Sequence, residues 1–99
     1  MNEIYIGTEK TYPIEIQSDG FSMDADTWSV RCQVGARSVT CGRVKIGDGW
    51  YFTLDTSGLR PGVVLCIVEY DVPDANFPDG LRHVVWKENL LKLKDYERL

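Results

Sequence analysis

His83 is the single histidine of the chain, and Cys32, Cys41 and Cys66 are its three thiols. With one imidazole, any site that needs two is excluded, and Cys–His catalysis is the one conventional nucleophilic pairing left to consider. His83 sits out of phase with Val84 and Trp86 on an alternating stretch, which places it towards solvent. No nucleophile or orienting group is fixed beside it by the sequence. The same four residues could be zinc ligands, but their spacing lacks the C-x-x-C or short C-x-H knuckles that build such sites. Cys32 and Cys66 share phase with apolar neighbours, so the thiols read as small buried hydrophobes. An odd number of cysteines behind an N-terminus without an apolar signal region argues against a disulfide framework and for a reducing, cytoplasmic setting.

Oxygen ligands occur at loop spacing in Asp74, Asn76 and Asp79, with Gly80 following. They form a weak calcium candidate: EF-hand spacing fails, the closing glutamate is missing, and Asx residues shape turns equally well without a metal. There is no glycine-rich phosphate loop, no G-x-S-x-G elbow and no metal-binding helix motif. No cofactor and no enzymatic activity are expected. Trp28, Trp50 and Trp86 alternate with polar residues and are expected to fill the core rather than stack on sugars or bases. A net charge of −4 disfavours nucleic acid. Four basic residues, Arg31, Arg37, Arg43 and Lys45, nevertheless run without an intervening acid, and read as solvated strand edges rather than a designed patch.

The elements that must position these residues are strands. Tyr12, Ile14 and Ile16 alternate with Pro13, Glu15 and Gln17, and Asp19-Gly20 supplies a turn. Pro13 cannot donate to a ladder, so this strand belongs at an edge. Trp28, Val30, Cys32 and Val34 form the clearest half-buried strand. Short strands around Ser38 to Cys41 and Arg43 to Ile46, broken at Gly42, lead to the tight turn Gly47-Asp48-Gly49 and to a strand whose Trp50, Phe52 and Leu54 share one face. Asp55 to Gly62 reads as a crossover in which Leu59 plugs the core. Val63 to Val72 is apolar on both faces at its start and so central in its sheet, and Leu81 to about Glu88 closes the series. In the tail, Leu90, Leu93, Tyr96 and Leu99 recur every third residue, which suits a short helix slightly better than an extension of the last strand.

At 99 residues, 43% hydrophobic and 26% charged, the chain has the balance of one small globular domain spanning residues 1–99. No stretch is long enough to cross a membrane as a helix. About seven short antiparallel strands with turns every eight to twelve residues describe an all-β immunoglobulin-like sandwich, with a small barrel as the alternative.

Two resemblances bear on this. Arg60-Pro61-Gly62-Val63-Val64-Leu65-Cys66 resembles the immunoglobulin approach to strand F, matched at Gly62 and Cys66, while Arg60 and Val64 replace its Asp and Tyr, so the tyrosine corner is absent. Over most of the chain, the order of the Asp19-Gly20 turn, the Trp28-Ser29-Val30 strand, the Asp48-Gly49 hairpin, Leu54 to Gly62 and Phe77-Pro78-Asp79-Gly80 is similar to small immunoglobulin-like proteins of phage and prophage origin. That group includes N-terminal domains of upper baseplate proteins and tail or fibre-attachment modules, especially of Bacteroides-type bacteria. The resemblance implies a scaffold without catalytic residues that docks other protein subunits, virion proteins or copies of itself, made in the cytoplasm and then virion-associated. Leu90, Leu91, Leu93 and Tyr96 are the candidate contact residues in the tail, with edge strands as the other contact. The rival readings are a carbohydrate- or ligand-binding module and a metal- or thiol-dependent enzyme.

Overall fold

The computed structural model describes residues 3–17, 21–24 and 26–95. They form eight strands: β1 (Glu3–Tyr5), β2 (Glu9–Ile14), β3 (Trp28–Val34), β4 (Arg37–Thr40), β5 (Gly42–Ile46), β6 (Gly49–Asp55), β7 (Gly62–Pro73) and β8 (Leu81–Lys94). One sheet has the order β1-β8-β7-β3-β4 and the other β2-β6-β5. The all-β expectation is met. The pairing is not purely antiparallel, however, because β1 runs parallel to the end of β8, Glu3 opposite Lys92 and Tyr5 opposite Lys94.

The alternation read along the chain becomes the shared core. Trp28, Val30 and Cys32 from β3, Val64, Cys66 and Val68 from β7, and Leu91 and Leu93 from β8 meet Phe52 and Leu54 of β6 in one buried cluster. Pro13 lies on β2, an edge strand, where its missing N–H costs no ladder bond. The chain changes sheets at Cys41-Gly42, with Cys41 buried and its N–H on Val30 O at 2.9 Å. Gly47, at φ +61, makes the β5–β6 turn that an L side chain would resist.

The last change of sheet, after β6, is a 3-10 turn at Thr56–Gly58 capped by the Asp55 carboxylate, which accepts from Ser57 N–H. Leu59 drops into the core as expected. Thr56 is fully buried, and its hydroxyl accepts from Gly7 N–H at 2.9 Å and donates to Thr8 C=O at 2.8 Å. The crossover is thereby tied to the β1–β2 turn.

The helix expected from the tail is corrected by the structure. Lys87 to Lys94 continues β8 along β7, and the register slips between Leu65 opposite Asn89 and Val64 opposite Leu91. Leu90 is the extra residue of a β-bulge, so the core-facing phase passes from even to odd positions and Leu91 and Leu93 turn inward. A bulge inserted into a period of two leaves apolar residues at Leu90 and Leu93, three apart, which imitates a helical spacing.

β7 and β8 are much longer than their counterparts. At about 3.4 Å per residue, the 14 residues of β8 extend about 48 Å, against about 24 Å for the 7 residues of β6. The long axis of the molecule is 53 Å. The three-stranded sheet therefore covers only part of the β7–β8 ribbon, and the segment after β2 covers more of it through Phe21, whose ring lies 5.1 Å from that of Tyr70.

Candidate functional site

The uncovered part of this ribbon is the most distinctive surface of the molecule. β1 pairs only with Lys92 to Lys94, so among the described residues nothing pairs with the outer edge of β8 from Leu81 to Asn89. Alternate residues there present unpaired backbone N–H and C=O groups. Arg82, Val84, Trp86 and Glu88 lie on the inner face, opposite Val72, Tyr70, Val68 and Cys66 of β7, while Leu81, His83, Val85 and Lys87 lie on the outer face. Leu81, Val85 and Trp86 are exposed at 42%, 48% and 49%, a concentration of apolar surface on one strand.

Trp86 corrects the expectation that all three tryptophans fill the core. Trp28 does so, and Trp50 meets it edge-on at 5.6 Å. Trp86 shares the inner face of its sheet with Trp28 but stands on a stretch of β8 that only β7 pairs among the described residues, and it remains half exposed. It forms one wall of a groove of about 330 Å³, with Tyr12 and Ile14 of β2 opposite and Val68 and Tyr70 at its floor. The Tyr12 ring stacks on Phe52 at 5.4 Å, and its buried hydroxyl has no hydrogen-bond partner among the described residues. Burial pushes that phenol up, as do the thiols of Cys32 and Cys66.

On the outer face, His83 Nδ1 is 2.9 Å from Asp71 Oδ1 and Nε2 is 3.3 Å from Glu69 Oε2. Glu69 in turn meets Arg31 Nε at 3.4 Å. The hydrogen bond with Asp71 is the main cause that raises the imidazole above its ordinary value, with the charges of Asp71 and Glu69 adding to it. Both ring nitrogens face carboxylates, so the arrangement favours imidazolium. An imidazolium has no lone pair with which to serve as a general base.

The other residues singled out by their chemistry are dispersed or occupied. Cys32, Cys41 and Cys66 do come together, all buried and free, with Cys32 Sγ 3.6 Å from Cys41 Sγ. Hydrogen bonds with Cys41 and Cys66, together with burial, push the Cys32 thiol up and keep it protonated. His83, on the opposite face of the sheet, is not part of that cluster. The Asp74 carboxylate accepts from Asn76 N–H at 3.0 Å and meets Arg82 Nε at 3.7 Å, and that of Asp79 accepts from Leu81 N–H at 3.1 Å. No group of His, Cys, Asp and Glu placed to hold a metal occurs among the described residues. The basic run is split as well, Arg31 pairing with Glu69 while Arg43 lies over the Trp28 ring and donates to Trp28 O.

Of the tail residues named as contacts, Leu91 and Leu93 are 0% and 1% exposed and belong to the core, and Leu90 packs against it. Leu91 and Leu93 offer no contact surface, because the bulge turns them inward. Tyr96 lies outside the described residues. The unpaired edge with exposed apolar residues lies earlier on the same strand, at Leu81 to Asn89. A sequence signal for it exists: Val84, Val85 and Trp86 put apolar groups on both faces of one strand. No helix among the described residues is long and apolar enough to cross a membrane. Set against known proteins, the chain matches no family model, no curated protein and no solved structure.

Proposed function

We propose that the chain is a non-enzymatic protein-interaction module with an immunoglobulin-like sandwich as its scaffold, and that it docks through the outer edge of β8. The observation that carries this reading is the open backbone edge from Leu81 to Asn89 with its exposed Leu81, Val85 and Trp86. Sheet edges of this kind bind by strand addition, the backbone giving affinity and alternate side chains giving specificity. The scaffold reading is supported by the strand order, a five-stranded sheet ending in a parallel first strand and facing a three-stranded one. The resemblance to phage and prophage proteins points to a tail or baseplate component as the setting. The engagement of both His83 ring nitrogens by Asp71 and Glu69 and the burial of the thiols weigh against the enzyme reading.

The test is a photo-crosslinking residue at Val85, with the same residue at Ser38 on the β4 edge as control, in the cells or particles that naturally carry the protein. A crosslink to protein from Val85 and not from Ser38 is expected. None from Val85, or equal yields at both positions, overturns edge docking. A second reading, a glycan or small apolar ligand held against Trp86, is favoured by the groove between Trp86 and Tyr12. Saturable quenching of tryptophan fluorescence by glycans, abolished by Trp86→Ala, would support it.

A further inference from the structure

We infer that the partner completing the β8 edge is a second copy of this chain, paired β8 to β8 in antiparallel fashion about a two-fold axis at Val85. The inference rests on the edge-docking reading and adds the occupant and its register.

The edges of the described strands differ in how they are protected. β2 carries Pro13, β4 has only four residues, and β5 alternates Arg43 and Lys45 with Val44 and Ile46. Proline, shortness and charge are the usual means of blocking edge pairing. From Leu81 to Asn89, β8 has neither proline nor bulge, and its bulge comes only at Leu90. This edge is long enough and regular enough to accept a strand.

Its side chains are self-complementary in one register. A two-fold axis that continues the sheet must place inner face beside inner face, so it falls at a residue and pairs that residue with its own copy. With the axis at Val85, Arg82 meets the partner's Glu88 and Glu88 meets the partner's Arg82, giving two opposite-charge pairs on the inner face. Between them Val84 meets the partner's Trp86, which extends an apolar row from Tyr70 and Val68 across the junction. On the outer face Val85 meets its own copy. Lys87 meets the partner's His83, two basic groups whose like charge is opposed by the carboxylates of Asp71 and Glu69 that flank that ring. Moving the axis to Trp86 sets Arg82 against Leu90 and Glu88 against Val84, and moving it to Val84 sets Arg82 against Trp86. Both registers leave the charges unpaired. Arg82 is free to turn, its side chain 52% exposed and its bond to Asp74 long at 3.7 Å.

Sedimentation velocity of the full chain, across a concentration series from micromolar to millimolar, tests the inference. A dimer is expected for the natural sequence. Arg82→Glu and Glu88→Arg each convert two attractive contacts into two repulsive ones and should weaken dimerisation at least about tenfold. The double variant exchanges the two charges, restores both opposite-charge pairs in the same register and should return to within about threefold of the natural affinity. Val85→Lys, at an exposed position, puts two ammonium groups at the axis and should give monomers whose thermal unfolding is that of a folded chain. Dimers indifferent to Val85→Lys, or a double variant no better than the single ones, overturn the inference. Monomers at every concentration do so as well. If Val85 then still crosslinks to a different protein, edge docking stands and only the second copy falls. If it crosslinks to nothing, both fall.

Discussion

Thr56→Val is the substitution whose effect the structure fixes most closely. Valine has nearly the shape of threonine, so packing around this fully buried side chain is kept and only the hydroxyl is lost. The hydroxyl serves Gly7 N–H at 2.9 Å and Thr8 C=O at 2.8 Å, both nearly fifty residues away in sequence. Thr8 C=O keeps a second partner, Thr56 N–H at 3.3 Å, whereas Gly7 N–H has no other partner among the described residues. An orphaned donor costs about 1–3 kcal/mol and a weakened acceptor about 0.5–1 kcal/mol; Gly7 is exposed enough for water to recover part of this, so the loss should be about 2 kcal/mol. For a chain of this size that is a fall in Tm of roughly 8–16 °C. Thr56→Ser keeps both bonds and loses one methyl group, about 1 kcal/mol. Urea unfolding of the three proteins, with amide exchange at Gly7, is the assay. A Thr56→Val protein within about 0.5 kcal/mol of the natural one, or more stable than Thr56→Ser, would refute the claim that the crossover is pinned to the β1–β2 turn by this hydroxyl.

Leu91 and Trp86 stand on the same strand yet should behave oppositely. Leu91→Ala empties a fully buried site and should cost about 2–5 kcal/mol in urea unfolding, whereas Trp86→Ala should change the stability of the dilute chain by less than about 1 kcal/mol. His83 should titrate above its ordinary 6.5 by NMR, and Asp71→Asn should bring the midpoint down; a natural midpoint at or below 6.5 would contradict the pairing. Because the folded-state value is the raised one, the stabilisation from this pairing is complete below pH 6.5 and is lost as pH rises through the raised midpoint. Cys32, Cys41 and Cys66 should resist a thiol reagent in the native chain and react once it is unfolded in urea, and fast reaction of any of them under native conditions would place it outside the core.

Most of the strands can be read from alternation because one face of each is buried and the period of two then appears in the residue types. Trp28, Val30 and Cys32, or Phe52 and Leu54, are cases in which phase and burial agree. The tail is misread for a definable reason: one inserted residue at Leu90 shifts the phase, and a shifted period of two cannot be told locally from a helical repeat. Thr56 is invisible in the sequence because its role depends on two backbone groups almost half the chain away. The gathering of Cys32, Cys41 and Cys66 is half legible, burial following from phase while contact depends on which strands pair.

The β8 edge shows the general limit. Phase assigns a residue to a face, but exposure also depends on whether a neighbour lies beside the strand and a sheet lies across from it. Trp28 and Trp86 both occupy inner-face positions. Trp28 of β3 is paired with Tyr70 of β7 and has Trp50 of the second sheet and Arg43 against its ring, and is 3% exposed. Trp86 stands on a stretch of β8 with β7 on one side only, and is 49% exposed. Each is paired with β7 alone, and what separates them is the cover that Trp50 and Arg43 lay over the Trp28 ring. Pro13 announces an edge because it lacks an N–H; an edge that is open for binding carries no such mark, since the residues that make it adhesive are those that would suit an interior strand. A strand such as β8 is therefore read as core from sequence for the same physical reason that it is suited to acquiring a partner.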